Sequence, residues 1–421
     1  MKRKKIIAAA LIGTLLTASL AGCDDSIENE EKKSIQEDKT VSGKVELTVW
    51  ADPDNIALMN QMTESFKQNY AGQADFDIVV AEQNESETKT ILLGDIHNGA
   101  DVFTIPDDQL LSMVAAGALV PVEDADEVKA ANLEDAVSAA SYKNVLYAYP
   151  YTADNGYFLY YDKRYLTEAD VMTMDKLLAA ANAANKKVSM EFSSGWYLYS
   201  FFGNTGLKFG LNDDGVTNSC NWNTTAGSVT GVMIAQGLLD ITTNPAFVAQ
   251  PDTEFVEGTK SGEIIAGISG VWNAVAIKEA WGEDYGACKL PSYTVNEKQI
   301  QMASFTGYKM MGVNSYSENV EWAQKLASWL TNEQNQTLRF EVKNQGPSNI
   351  KAAASEAVKQ VPAIQAVISQ SKYGTLQRVG NSYWGACVEF ADIIAAGNPN
   401  GVPLQELMDN LVAGITASAV N

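Results

Sequence analysis

The chain is short of the side chains on which most enzyme mechanisms rely. His97 is the only histidine in 421 residues, so a Ser-His-Asp triad, a Cys-His dyad or a histidine-rich zinc site would each have to use it. It stands beside Asn98 and Gly99 at a polar helix end and reads as a surface residue. The four cysteines, Cys23, Cys220, Cys288 and Cys387, stand singly, with no CxxC or other metal spacing. The last three read as small buried hydrophobes rather than as a disulfide pair. No HExxH, GxSxG, P-loop or GxGxxG pattern stands out; Ser369-Gln370-Ser371-Lys372 fits SxxK, but without SDN or KTG it is chance. No cofactor and no metal are expected. Basic residues are also in the minority, 30 Lys and Arg against 52 Asp and Glu, giving a net charge of −22. Nucleic-acid partners need clustered cations, and so does docking on anionic headgroups. With 46% hydrophobic and 19% charged residues the chain is not disordered as a whole, and its length suits two to three domains of about 150 residues.

Long apolar runs are equally rare. The chain begins Met-Lys-Arg-Lys-Lys, and Ile6–Leu20 is the one extended apolar stretch, too short for a comfortable membrane span. It ends in Leu20-Ala21-Gly22-Cys23, with small residues at a cleavage position. Residues 1–22 therefore read as a signal peptide. Leu-Ala-Gly-Cys resembles the bacterial lipoprotein box, which implies that Cys23 is lipidated and becomes the mature N-terminus. Cleavage would remove Lys2, Arg3, Lys4 and Lys5, so lipid attachment rather than electrostatics would hold the acidic body at the membrane. Residues 23–44 are charged and poor in apolar side chains, and are expected to form a solvated tether.

From Val45 on, strand and helix patterns alternate. Val45–Trp50, Phe76–Val80 and Asp101–Ile105 read as strands. Ile56–Tyr70, Thr88–His97 and Asp108–Ala116 read as helices, the last capped by Gly117. That alternation predicts an α/β sheet with helices on its faces, and ligands in such sheets bind outside the carboxyl ends of the strands. Those ends are the polar or acidic loops Ala51–Asn55, Ala81–Gln83 and Pro106–Gln109. Tyr147–Tyr161, interrupted by Pro150 and Gly156, reads as a strand leaving one domain and another entering the next. Ile264–Ile277 runs from a strand through Gly270-Val271-Trp272 into a helix. Trp322, Leu326, Trp329 and Leu330 form a helical core stripe, and Ala391–Ala396 and Leu404–Ile415 are helical segments.

What the chain does have is tryptophan at turns. Trp196 follows Ser193-Ser194-Gly195, Trp272 follows Gly270, and Tyr383-Trp384 sit between Asn381-Ser382 and Gly385. Such a ring either plugs a gap between lobes or shows its face to a ligand. A sugar offers flat C–H faces to the ring and hydroxyl edges to carboxylates and amides. Together with the acidic loops, these residues point to a neutral, hydroxyl-rich ligand. A secreted glycosidase working through paired carboxylates is the catalytic alternative.

These pieces, in this order, resemble the bacterial ABC-transporter solute-binding lipoproteins of the maltose/maltodextrin-binding family. The resemblance runs from about Val45 to Ile415. It is carried by Leu47-Thr48-Val49-Trp50, Gly99-Ala100-Asp101-Val102-Phe103, Ala116-Gly117-Ala118-Leu119, Ala148-Tyr149-Pro150, Tyr160-Tyr161-Asp162-Lys163, Gly267–Trp272 and Tyr383-Trp384. It implies a two-lobe, type II periplasmic-binding-protein-like fold with a hinge and an interlobe cleft. The first lobe would hold 45–152 plus 304–349 and the second 153–303 plus 350–421. It further implies a non-catalytic, monomeric receptor on the outer face of the cytoplasmic membrane. That receptor would pass maltooligosaccharides, or another neutral oligosaccharide, to an ABC permease. Among site residues it implies stacking by Trp272, Trp384 and Trp196 beside Tyr383, and hydroxyl contacts from Asp54, Asn55, Glu82, Asp108 and, at the hinge, Asn155. Two departures stand out: Ile105 or Pro106 replaces an aromatic of the family, and Asn55 replaces a lysine.

Overall fold

The computed structural model describes residues 42–418. The expected leader, Cys23 and residues 23–41 of the expected tether lie outside them. Ser42–Lys44, assigned to the tether above, already belong to the first strand.

Ten strands form the principal sheet: β1 (Ser42–Ala51), β2 (Ala74–Glu82), β3 (Val102–Pro106), β4 (Ala148–Asp162), β5 (Lys187–Met190), β6 (Phe247–Ala249), β7 (Ile264–Gly270), β8 (Tyr285–Cys288), β9 (Ser304–Val313) and β10 (Gly374–Leu376). Their order is β6-β5-β7-β4-β9-β3-β1-β2, with β8 paired to β4 and β10 to β9. The pairings β1–β2, β1–β3, β5–β6 and β5–β7 are parallel, as helical crossovers require. The helices Ile56–Asn69 and Thr88–Gly94 match the expected ones, the second stopping at Gly94 rather than His97. The helix expected from Asp108 starts as a single 3₁₀ turn, Asp107–Gln109, before Leu110–Ala115.

The fold has two lobes, and β4 and β9 run through both. One apolar cluster gathers residues from Val45 to Tyr151 with Met310 to Leu330; another gathers residues from Tyr157 to Phe305 with Tyr383 to Ile415. A third lies across the sheet from the second: Tyr157, Leu159 and Tyr161 of β4 face one way, Phe158 and Tyr160 the other. Successive side chains point to opposite faces, so a run apolar at every position is what a strand covered on both sides requires.

β4 is one continuous strand, and this corrects the reading of Tyr147–Tyr161 as two. Pro150 and Gly156, which suggest breaks, are accommodated by slips in the β4–β9 register between Gly307 and Lys309 and between Lys309 and Met310. Those slips fall where the strands pass from one cluster to the other. A bulge there turns Lys309 toward the space between the lobes.

Candidate functional site

A cleft of about 650 Å³ opens between the lobes. Its two walls differ in chemistry. The first lobe presents Asp52, Asn84, Glu85, Ser86, Lys89, Thr90, Pro106, Asp108, Gln109 and Lys309. The second presents Glu191, Ser194, Trp196, Tyr197, Asp252, Trp272, Asn381 and Trp384. All of the aromatic surface comes from one side.

Glycines make the aromatic wall possible. Trp272 sits in the turn that ends β7, its ring folded over Gly270; a Cβ on Gly270 would lie 2.0 Å from Cζ3. The indole Nε1 donates to Asp252 Oδ2 at 2.8 Å, and the same oxygen accepts from Ser269 Oγ (3.0 Å) and the Tyr197 hydroxyl (3.1 Å). Burial pushes the Asp252 carboxyl upward, opposed by these three donors. Trp196 lies on the short helix Gly195–Leu198 and stacks against the buried Phe305 of β9 at 5.5 Å. Trp384 stands in the first turn of the helix Ser382–Ala395. A Cβ on Gly195 would meet Trp384, Tyr383 and Cys387 at 3.2 Å, so the glycine sets how closely the two tryptophan-bearing segments approach.

The opposite wall is a charged lattice. Lys309 pairs with Glu85, both largely buried. Gln109 donates from Nε2 to the carbonyls of Glu85 and Ser86 and accepts the Lys89 backbone N–H, fixing the loop that carries these groups. Burial, then the Glu85 charge, pushes Asp52 upward. Burial, then the neighbouring Asp107, pushes Asp108 up to about 7. Asp107 itself is fully buried under the hinge and pushed up to about 6 by burial; it accepts from the Tyr308 N–H and Gln377 Nε2, each at 2.9 Å. One contact spans the cleft mouth: Lys89 Nζ donates to Asn381 Oδ1 at 3.1 Å.

Of the expected site residues, Trp196, Trp272, Trp384, Asp108 and Asn155 line this cleft. Four do not. Tyr383 is fully buried and donates to the Gly195 carbonyl at 2.7 Å, so it braces the tryptophan-bearing segments from below instead of facing a ligand. Asp54 is exposed and Asn55 buried, because the 3₁₀ turn Pro53–Asn55 leaves only Asp52 of that loop on the cleft. Glu82 is exposed at the end of β2, the edge strand, and the chain first reaches the cleft two residues later, at Asn84. Of the two positions where an aromatic was missed, Ile105 is core and Pro106 lines the cleft. The expected set omitted Asp52, Glu85, Lys89, Glu191, Asp252, Lys309 and Asn381. Asp52 and Asn381 sit inside stretches already marked; the others carry no local signature. His97 is exposed against the Tyr316 ring, outside the cleft lining. Cys220, Cys288 and Cys387 are free thiols.

An interlobe cleft with an aromatic wall and a hydrogen-bonding wall is shaped to hold a small ligand. The chain belongs to the bacterial extracellular solute-binding proteins, whose family pattern matches residues 61–366. It is 27% identical over 384 residues to the galactooligosaccharide-binding protein of Bacillus subtilis (strain 168), covering 89% of this chain and 87% of that one. It is 26% identical over 396 residues to a maltooligosaccharide ABC transporter solute-binding lipoprotein of Streptococcus pneumoniae (TIGR4), covering 88% of each. Among solved structures, one described as being with acarbose superposes with a TM-score of 0.79 at 28% identity, covering 89% of this chain and 99% of the other.

Proposed function

We propose that this protein is the extracellular receptor of an ABC importer that captures maltooligosaccharides by closing its lobes around them, without chemical turnover. The observation that carries the reading is the opposition of Trp196, Trp272 and Trp384 on one wall to carboxylates, amides and lysines on the other. Pyranose faces stack on indoles while ring hydroxyls reach charged acceptors and donors, and each contact made to both lobes favours the closed form. The relatives named for oligosaccharides support it. The reading includes anchoring through a lipidated Cys23, release of the sugar to a permease, and a monomeric receptor. Asp108 and Asn155 would take sugar hydroxyls, joined by Asp52, which replaces Asp54 in that role.

A second reading, favoured by the Bacillus subtilis relative, is the same receptor role for galactooligosaccharides. Titration calorimetry with maltotriose, a β-galactotriose, cellotriose, xylotriose and raffinose decides between them. Heat with maltotriose and none with the galactotriose supports the first reading; the reverse pattern overturns it in favour of the second. New reducing ends after incubation with a bound oligosaccharide would overturn a purely binding role.

A further inference from the structure

We propose that Asp252 is a positioning residue for sugar stacking: one carboxylate oxygen holds the Trp272 ring in its binding pose, and the other accepts a hydroxyl of the sugar lying on that ring. This deepens the receptor reading above and rests on it.

The geometry of Asp252 is asymmetric. Oδ2 accepts three hydrogen bonds, from Trp272 Nε1, Ser269 Oγ and the Tyr197 hydroxyl, while Oδ1 is buried with no partner. The residue lines the cleft beside the ring it holds. A carboxylate accepts through both oxygens, and leaving one buried and unpaired is costly. A ligand hydroxyl arriving in the cleft is the donor that the site lacks. The holding partners are themselves fixed: Ser269 is fully buried in β7 and accepts from Asn273 Nδ2 at 2.9 Å, and Tyr197 is buried. Without the Nε1 bond, the ring over Gly270 would keep its packing but lose the contact that fixes its rotation. Ordering it would then fall to the ligand, which weakens binding. The cleft also holds Glu191, whose ionisation is opposed by burial and by the charge of Asp252 and favoured by a hydrogen bond from the Asp252 backbone; the indole donates to Asp252.

The test uses the full mature chain with the preferred oligosaccharide of the panel above. The Trp272 indole Nε1–H resonance, assigned by its loss in Trp272→Phe, is read without ligand in wild type, Asp252→Asn and Asp252→Ala. Upfield movement in both variants is expected, since the carboxylate acceptor is gone. Affinity is then measured for Asp252→Ala in the wild-type and Trp272→Phe backgrounds. Phenylalanine keeps a stacking ring but has no Nε1–H. We expect a loss of about tenfold or more in the first background and a smaller, non-zero loss in the second, the remainder being the hydroxyl contact. An unmoved indole resonance, or equal losses in both backgrounds, overturns the positioning role; no loss in the Trp272→Phe background overturns the hydroxyl contact. If Asp252→Ala does not fold, Asp252→Asn, which keeps the shape, carries the same comparison. Wild-type protein that binds no sugar of the panel overturns the receptor reading and this proposal together, whereas binding with equal losses overturns this proposal alone.

Discussion

Adding one methyl group to Gly270 should weaken binding in the cleft without changing any residue that lines it. The backbone there is extended, with φ −103° and ψ −177°, so alanine fits the conformation without strain. The space does not admit it: its Cβ would lie 2.0, 2.1 and 2.5 Å from Cζ3, Cη2 and Cε3 of Trp272. Carbon atoms pack at about 3.5–4.0 Å, so the ring must retreat by roughly 1.5 Å. A shift of that size takes Nε1 beyond hydrogen-bond distance of Asp252, from which it now stands 2.8 Å. A hydrogen bond to a charged group contributes about 1.5–3 kcal/mol. Part of that loss appears as stability, since Asp252 loses a donor, and part as affinity, since the ring no longer offers its face. We expect oligosaccharide binding to weaken by about tenfold to a hundredfold by calorimetry, with an altered near-ultraviolet dichroism of the indole. Trp272→Ala in the Gly270→Ala background should then cost little more, because the ring is already out of place. Unchanged affinity together with an unchanged indole signal would refute the claim that the ring position carries binding.

The buried pair Glu85–Lys309 should be far more sensitive to loss of one partner than of both. Glu85→Gln leaves a buried ammonium and is expected to destabilise by about 3–5 kcal/mol in urea unfolding, while Glu85→Gln with Lys309→Met recovers much of it; equal destabilisation by the single and the double change would sink this. Stability should also depend on pH through Asp107 and Asp108. Their folded-state values, about 6 and about 7, lie above the ordinary carboxyl range, so between about pH 4 and 7 the folded chain holds more protons than the unfolded one. Their contribution is therefore full at low pH and is lost as pH rises through 6 and 7, at up to about 1.4 kcal/mol per pH unit for each proton held. Asp108→Asn should flatten the slope of the urea midpoint between pH 5 and 7, and an unaltered slope would count against it. Finally, burial raises the thiols of Cys220 and Cys288 to about 12 and that of Cys387 further. Cys387 is fully buried, whereas Cys220 and Cys288 are half-buried, so an aromatic disulfide reagent should modify Cys387 only as fast as the chain unfolds and the other two sooner; rapid reaction of Cys387 in native buffer would count against its burial.

Much of the fold was legible because its signals are local. The spacing of Ile56, Met59, Met62 and Phe66 is a helical period, and a helix spans Ile56–Asn69 with Met59, Met62 and Phe66 buried. Gly117 caps with φ +69°, a conformation that glycine adopts freely. Gly270-Val271-Trp272 was legible as a strand–turn–helix for the same reason. The reading of Tyr147–Tyr161 as two strands, where one strand runs Ala148–Asp162, marks the limit of this logic. Pro150 and Gly156 are local break signals, and whether a strand breaks at them depends on β9, more than 140 residues away in sequence, slipping register opposite them.

The site divides along the same line. A tryptophan beside a glycine announces itself, and the three rings so marked share one cleft wall; for Trp272 the missing Cβ of Gly270 is what lets the ring fold back over the chain. Tyr383 carries the same local signature as Trp384, one residue away, yet helical geometry turns the two in different directions, and the carbonyl of Gly195 claims the Tyr383 hydroxyl. Which of two adjacent aromatics faces the cleft is thus set by a segment about 190 residues distant in sequence. Carboxylates are less legible still. Among 52 acidic residues nothing local separates Glu82 from Glu85 or Asp54 from Asp52. The distinction comes from what the fold brings against each: Lys309 to Glu85, and to Asp252 the indole, hydroxyl and phenol donors of Trp272, Ser269 and Tyr197. A carboxylate is fixed on the cleft wall here by partners from other segments of the chain. For that reason the aromatic half of the cleft could be read from the sequence, and its hydrogen-bonding half could be read only as loops.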